Sequence, residues 1–438
     1  MASLTALAED ALKQAKLLDA YVAAQGRPKT SFDGNTLTEL PPDLMEAREA
    51  LVNSTQTLKR LALGPVGVLT EIMWACSDEI SLGAINDFNL ADCVPLDGSA
   101  TFAQIAAQSG LSERLVERFM RHAMGNHIFT EYPPGHVRHT ASSRLLATDP
   151  YLKDTIAMMV KEVWQPSTRV IDAVRQFHDS DEPTEAPFTL VNEPGVGMFE
   201  FLAKHPERAR KFGGAMKWYG SFESWDLKHL VDGYSWDKFD RPGALFVDVG
   251  GGQGAVPKAL GPATRDLKFV VQDMESTIAD GERLLPEELK GRVEFMRHDF
   301  FTEQPVRGAD VYFLRWILHD WSDRYAVRIL KALVPAMREG ARVVLFEWLL
   351  KDGPETDWTE KYPRNVDLAM LAQFNSNERT ATAFKNVFHQ ADPRFHVVDI
   401  KKLRDPMASA YELGASNGDV VPPIGCSLFY SGGGINTE

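Results

Sequence analysis

The chain is short of cysteine, of positive charge and of long apolar runs, and each shortage removes a class of function. Its three cysteines, Cys76, Cys93 and Cys426, lack both the pairing pattern of a disulfide framework and the close spacing of a zinc site. No metal is expected, and a reducing, cytoplasmic setting fits. Lysine and arginine number 47 against 61 acidic residues, a formal charge of -14. Nucleic-acid binding relies on cations that displace counterions from phosphate, so nucleic acid and anionic membrane are disfavoured as partners. No run approaches eighteen uninterrupted apolar residues, so no membrane-spanning helix is expected. The N-terminal segment carries Glu9 and Asp10 early and a helical apolar repeat, which argues against a secretory signal.

What remains is an ordinary globular composition, 44% hydrophobic and 25% charged, in a chain of 438 residues that exceeds one core. Three parts are expected: a helical and winged-helix dimerisation domain over 1–150, a helical connector contributing to a substrate pocket over 151–240, and an α/β domain over 241–438. Leu4, Leu7, Ala8, Ala11, Leu12, Ala15, Leu18 and Tyr21 recur at helical spacing and mark an amphipathic helix that needs a partner. Helices resume from Asp43 to about Ile80. Thr101 is then read as the cap of FAQIAAQS, Gly110 as its break and Ser112 as the cap of ERLVERFMRHAMG, with a two-stranded wing in HIFTEYPPGHVRHT. A winged helix suggests DNA recognition through Arg114, Arg118 and Arg121. Glu113 and Glu117 beside them, in an acidic chain, favour a dimerisation scaffold. The acidic, proline-bearing stretch Asp179 to Phe188 is expected as an exposed loop, and SGGGINTE as a flexible tail.

From Ala244 the texture changes to short apolar runs between amphipathic helices: ALFVDV, KFVVQD, VEFMRHD, ADVYFLRW, ARVVLFEW, FHVVDIKK and CSLFYS. That alternation predicts a parallel sheet wrapped by helices. LFVDVGGGQG sets Gly250, Gly252 and Gly254 in a G-x-G-x-G turn after a strand, where glycine permits a tight turn and close approach to a ligand. The dinucleotide spacing G-x-G-x-x-G and the phosphate-loop G-K-[ST] are both missing. KFVVQD ends in Asp273, twenty-three residues after Gly250, an acid placed to accept hydrogen bonds from two ribose hydroxyls. HDFF offers Asp299 to an adenine amine and Phe300 to the ring.

VDVGGGQG, VVQDM, HDFF, LRWILHDWSD, VVLFEWLL and NERTATAF together resemble the plant and fungal class I S-adenosylmethionine-dependent O-methyltransferases, the family of caffeic acid and sterigmatocystin O-methyltransferases, over nearly the whole chain. The resemblance implies a Rossmann-like, seven-stranded catalytic domain behind a mainly α-helical, winged-helix dimerisation domain. It also implies a homodimer, a small hydroxylated substrate, and S-adenosylmethionine as cofactor with S-adenosylhomocysteine as product. The family's proton acceptor falls on His319, within the motif completed by Asp320, Trp321, Ser322 and Asp323, and the two acids that hold it fall on Glu347 and Glu378. Cofactor contacts fall on Asp248, Gly250, Gly252, Asp273, Met274, Asp299, Phe300 and Arg315, the last where the family usually carries lysine. Met370, Phe374, Asn375, Met216 and Trp218 are expected along the substrate.

The chemistry agrees with that placement. Methyl transfer from a sulfonium is an in-line displacement, so a protein contributes alignment and exclusion of water. Proton transfer from a phenol of pKa near 10 to a histidine near 6.5 is uphill by about 3.5 units, roughly 5 kcal/mol. Carboxylates beside the imidazolium narrow that gap. An aliphatic alcohol is a harder target, so a phenolic or enolic hydroxyl of an aromatic polyketide or similar specialised metabolite is expected. Two other readings stay open: a non-methylating reaction on the same fold and cofactor, such as a pericyclic rearrangement, and a winged-helix DNA-binding regulator. Taken alone, His319 also suits a packing role at a helix start, and Glu378 a helix N-terminal acid.

Overall fold

The computed structural model describes residues 3–34, 37–38, 40–222, 225–354, 356–359, 361–402 and 424–431. The expected tail beyond 431 lies outside them. Backbone contacts divide the chain into two units. One comprises Met1–Arg169, Phe188–Ser221 and Asp357–Thr359; the other comprises Val170–Pro187, Phe222–Thr356 and Glu360–Glu438. The stretch 151–240, expected as one connector, is thus shared between the two.

In the first unit, α1 (Leu4–Ala24) packs on α2 (Pro42–Trp74), and Ser54 Oγ donates to Asp10 Oδ2 at 2.5 Å. Only part of the expected apolar face is covered: Leu18 is buried, with Val22 beside it, whereas Leu4 and Leu12 are exposed. Gly64, at φ 66, and Pro65 kink α2, because glycine tolerates that φ and proline removes a backbone donor. Beyond the kink Val66, Leu69, Ile72 and Trp74 are exposed. The helix α3 (Phe102–Ser109) opens with a reciprocal capping box between Thr101 and Gln104 and closes at Gly110, φ 76. Its successor α4 (Glu113–Met124) departs from expectation, because the Ser112 side chain makes no capping bond and only its carbonyl accepts from Val116 N, at 3.1 Å. The two expected wing strands, Thr130–Glu131 and His136–Arg138, pair with each other, and Ala100–Thr101 adds a third on the other side of His136–Arg138. Arg121 is committed to Glu117 and Glu131. Met216 and Trp218 lie half-buried on α5 (Pro206–Gly220) of this unit.

The second unit carries β1 (Leu245–Val249), β2 (Lys268–Asp273), β3 (Val293–Arg297), β4 (Val311–Arg315), β5 (Arg342–Trp348), β6 (Phe395–Lys402) and β7 (Ile424–Ser431). They form one parallel sheet in the order β3-β2-β1-β4-β5-β7-β6, the expected seven-stranded Rossmann-like arrangement. Successive residues of a strand face opposite sides. Val247, Leu314 and Leu345 therefore enter one core, with α7 (Asp323–Leu333) and α9 (Ala381–Ala391). Phe246, Phe313 and Phe346 enter the other, around Trp225 and around Leu230 of α6 (Leu227–Gly233). Burial on both faces is why these strands read as continuous apolar runs. The strand order reverses between β1 and β4, and a crevice at the carboxyl ends of strands forms at such a reversal.

The acidic stretch Asp179 to Phe188, expected as an exposed loop, is exposed at Asp179 and Thr184 but buried at Ala186, Pro187 and Phe188, and its residues 180–182 are tied down by side chains of their own unit. Asn375 Nδ2, just beyond α8 (Lys361–Phe374), donates to Ser180 O at 2.7 Å and Glu182 O at 3.1 Å. Tyr325 Oη donates to Glu182 Oε2 at 2.6 Å, and Arg324 pairs with Asp181 at 2.9 Å. Among the described residues, no helix is long and apolar enough to cross a membrane and no group of three potential ligands is placed to hold a metal ion.

Candidate active site

The chain leaves β1 through Gly250, φ 71, whose amide donates to Gln272 O at 2.8 Å; the Gly251 amide reaches the same oxygen at 3.0 Å. A Cβ on Gly250 would stand 2.5 Å from Ile317 Cδ1. Glycine is required here both for its φ and so that this turn can touch the turn after β4. The same Cβ position lies 3.8 Å from Phe300 Cε1, so the β1, β3 and β4 ends converge on one point. Asp273 closes β2 and accepts from Gly252 N at 2.9 Å and Met274 N at 2.7 Å. Burial raises its pKa against the lowering effect of those bonds. Asp299 and Met274 are exposed, and Asp299 Oδ1 accepts from Phe301 N at 2.9 Å.

Deeper in the crevice lie Asp248 and Arg315. Burial pushes the Asp248 carboxyl up to about 7 although the Arg315 charge opposes it. Burial also pulls Arg315 down to about 10, against the charges of Asp248 and Glu347. The guanidinium stacks 4.1 Å from the Trp316 ring centroid, a contact suited to its planar, weakly hydrated group and less so to a lysine ammonium. Trp316 itself has φ 55, a left-handed conformation that non-glycine residues adopt at a cost and that recurs at functional sites.

The turn that follows, Leu318–Asp320, presents His319. Glu347, at the end of β5, accepts from Ile317 N at 2.9 Å and Leu318 N at 2.8 Å. It bonds the backbone that leads into His319 and not the ring, and its charge also raises the His319 pKa. Among the described residues Glu378 alone hydrogen-bonds the ring, with His319 Nδ1 donating to Oε1 at 2.8 Å. That bond fixes the proton of the neutral ring on Nδ1 and leaves Nε2 with its lone pair. Asp320 Oδ1 stands 3.4 Å from Nε2. Burial works to lower the His319 pKa, but the charges of Glu378, Asp320 and Glu347 outweigh it and carry it up to about 10. Asp320, whose own carboxyl is pushed to about 7 by burial, is an electrostatic neighbour to which the sequence motif assigned no separate role. Its place directly after His319 was the available signal.

Among the described residues, the buried side-chain nitrogen and oxygen atoms without a hydrogen-bond partner are Asp248 Oδ2, Arg315 Nε and Nη2, Trp316 Nε1, Glu347 Oε2 and Glu378 Oε2. All belong to the ends of β1, β4 and β5 or to the acid on His319. Each such atom costs about 1–3 kcal/mol, and such exceptions call for an explanation. A polar ligand seated here supplies one. Of the expected substrate residues in this unit, Met370 and Phe374 are buried on α8, and the Asn375 amide nitrogen is spent on the 180–182 backbone.

A doubly wound sheet with a glycine turn, an acid ending β2 and polar groups waiting at the switch point defines an α/β enzyme for a nucleoside-bearing ligand. The pattern of the O-methyltransferase domain family matches residues 171–393. O-methyltransferase AMT9 of Alternaria alternata is 37% identical over 407 residues, 90% of this chain and 93% of that protein. Chlorophenol O-methyltransferase of Trichoderma longibrachiatum is 34% identical over 417 residues, 93% of this chain and 89% of that protein. The crystal structure of OxaC matches with a TM-score of 0.69 at 25% identity, covering 88% of this chain and 94% of that one. The chain belongs to the class I S-adenosylmethionine-dependent small-molecule O-methyltransferases. It is an O-methyltransferase with S-adenosylmethionine as methyl donor.

Proposed function

We propose that His319 is the general base for methylation of a phenolic or enolic hydroxyl on a specialised metabolite such as an aromatic polyketide. The strongest support is the arrangement of the ring, with Nδ1 held by Glu378 at 2.8 Å and Nε2 left as acceptor. A histidine raised toward about 10 by three acids matches a phenol's proton affinity, so proton transfer to the neutral ring is nearly level; that neutral form is the minority one near pH 7 and grows as pH rises toward 10. The name of the chlorophenol relative supports a phenolic acceptor.

S-adenosylmethionine, when bound, supplies an electrophilic methyl on sulfur. Its polar ends fit the unpartnered atoms: Asp248 Oδ2 suits an ammonium, and the Arg315 donors suit a carboxylate. Gly250 and Gly252 give it backbone to approach, Asp273 and Met274 lie toward the ribose, and Asp299 and Phe300 toward the adenine. Met370, Phe374 and Asn375 serve as the acceptor's wall. Glu347 acts on the turn's amides, and Glu378 on the ring. The enzyme works as a cytoplasmic homodimer without nucleic-acid or membrane partners; the exposed apolar row Val66, Leu69, Ile72 and Trp74 supports self-association.

Incubation with methyl-labelled S-adenosylmethionine and a panel of phenols, read by mass spectrometry, tests the base. His319→Ala is expected to lose about 10³-fold in kcat while S-adenosylhomocysteine binds with unchanged affinity. Turnover at the wild-type rate would remove His319 from that role.

A further inference from the structure

Arg379 is fully buried, at 1% exposure, beside the most conspicuous feature of the site. Its Nη1 donates to Leu318 O at 2.6 Å and its Nη2 to Trp321 O at 2.6 Å, the carbonyls that bracket His319 and Asp320. Its Nε donates to Asp323 Oδ1 at 2.8 Å, and that carboxylate is 55% exposed. The buried charge is thus spent mainly on two neutral backbone acceptors. Burying a cation is costly unless its whole donor set is used, and only a rigid planar fork can bridge two carbonyls at once.

The surrounding contacts give this a purpose. Glu347 takes the turn's amides at Ile317 and Leu318, and Ser376 Oγ donates to His319 O at 2.7 Å. Glu378, adjacent to Arg379 in the chain, holds Nδ1. The segment 376–379 therefore grips both the ring and the backbone that carries it. The Arg379 carbonyl, accepting from Leu350 N at 2.9 Å, ties that segment to the chain just after β5.

We propose that Arg379 is a positioning residue for methyl transfer: its guanidinium clamps both ends of the His319 turn, so that ring and acid partner keep one geometry. The inference rests on the reading of His319 as base. Supporting groups of this kind set a reacting atom to within fractions of an ångström, and misplacement costs rate, not affinity.

Arg379→Lys keeps the charge and removes the fork. The expected result is a folded enzyme with S-adenosylhomocysteine affinity within about twofold of wild type, KM little changed and kcat lower by about 10- to 100-fold per cofactor site. The limb on which activity rises with pH should also move down by about one unit, as the ring loosens from Glu378 while Asp320 and Glu347 still face it. A merely structural role would lower the folded fraction and leave the rate per site and the limb where they were. That result overturns the proposal. Should Arg379→Lys fail to fold, Asp323→Asn at a half-exposed position decides: a loss of about threefold in kcat with the limb lowered supports the clamp, and no change in either overturns it. An active His319→Ala enzyme would defeat the base reading itself, whereas an inactive His319→Ala beside a fully active Arg379→Lys defeats only the clamp.

Discussion

The helical unit meets its buried acid Glu162 on both oxygens, whereas the sheet unit, which pairs Asp310 with Arg241 and Arg338, leaves three other buried acids half-matched. In the helical unit Glu162, 2% exposed, is met by Arg208 on both oxygens, and Arg208 Nη1 goes on to Asn192 Oδ1 at 2.8 Å. In the sheet unit Asp248, Glu347 and Glu378 are as deeply buried, yet each keeps an oxygen without a partner. Matched buried charge holds a structure together, whereas half-matched buried charge is a standing cost that a bound ligand or a working proton repays. The difference separates scaffold from active site without reference to any motif.

Four changes sharpen or break that contrast. Glu162→Gln should be the most damaging to stability, about 3 kcal/mol in denaturant unfolding, because it strands Arg208. The folded fraction should keep its cofactor affinity, and a loss of affinity there would blur the contrast. Gly250→Ala forces a Cβ toward Ile317 at an unfavourable φ, for a loss of about 2 kcal/mol in S-adenosylhomocysteine binding by calorimetry. Glu378→Gln should lower kcat by about 10-fold. It removes a charge that raises the His319 pKa, so the rising pH limb, placed between 6.5 and about 10 in the wild type, moves toward 6.5. An unmoved limb would deny the coupling. The smallest effect is on cofactor affinity against pH. Asp248 holds a proton below about 7 in the free enzyme, and an ammonium favours its ionised form, so affinity should tighten several-fold as pH rises through about 7. The dependence should vanish in Asp248→Asn.

Much of this was legible in the sequence, for physical reasons. Strands buried on both faces give apolar runs, so the sheet from Ala244 onward declared itself, and a glycine turn after the first of them located the crevice. His319 and Glu378 are met in space as the family resemblance implies. Other contacts depend on turn geometry that spacing does not encode. Glu347 bonds the Ile317 and Leu318 amides and not the ring, in a turn that follows Trp316 at φ 55. The stretch after Asp179 reads as solvent-loving, yet its carboxylates find Arg324 and Tyr325 and its carbonyls find Asn375. The third wing strand, Ala100–Thr101, is only two residues long and too short to show a period. Ser112 has the side chain of a cap but does not use it.

The most direct test of the contrast is calorimetric titration of S-adenosylhomocysteine into the wild type, Asp248→Asn and Glu162→Gln side by side near pH 8. Binding weakened by about 10-fold or more in Asp248→Asn alone, with Glu162→Gln equal to wild type, is the predicted result. Equal affinity in all three would mean that the unpartnered oxygen at the end of β1 does not await the cofactor, and the contrast between the units would fall.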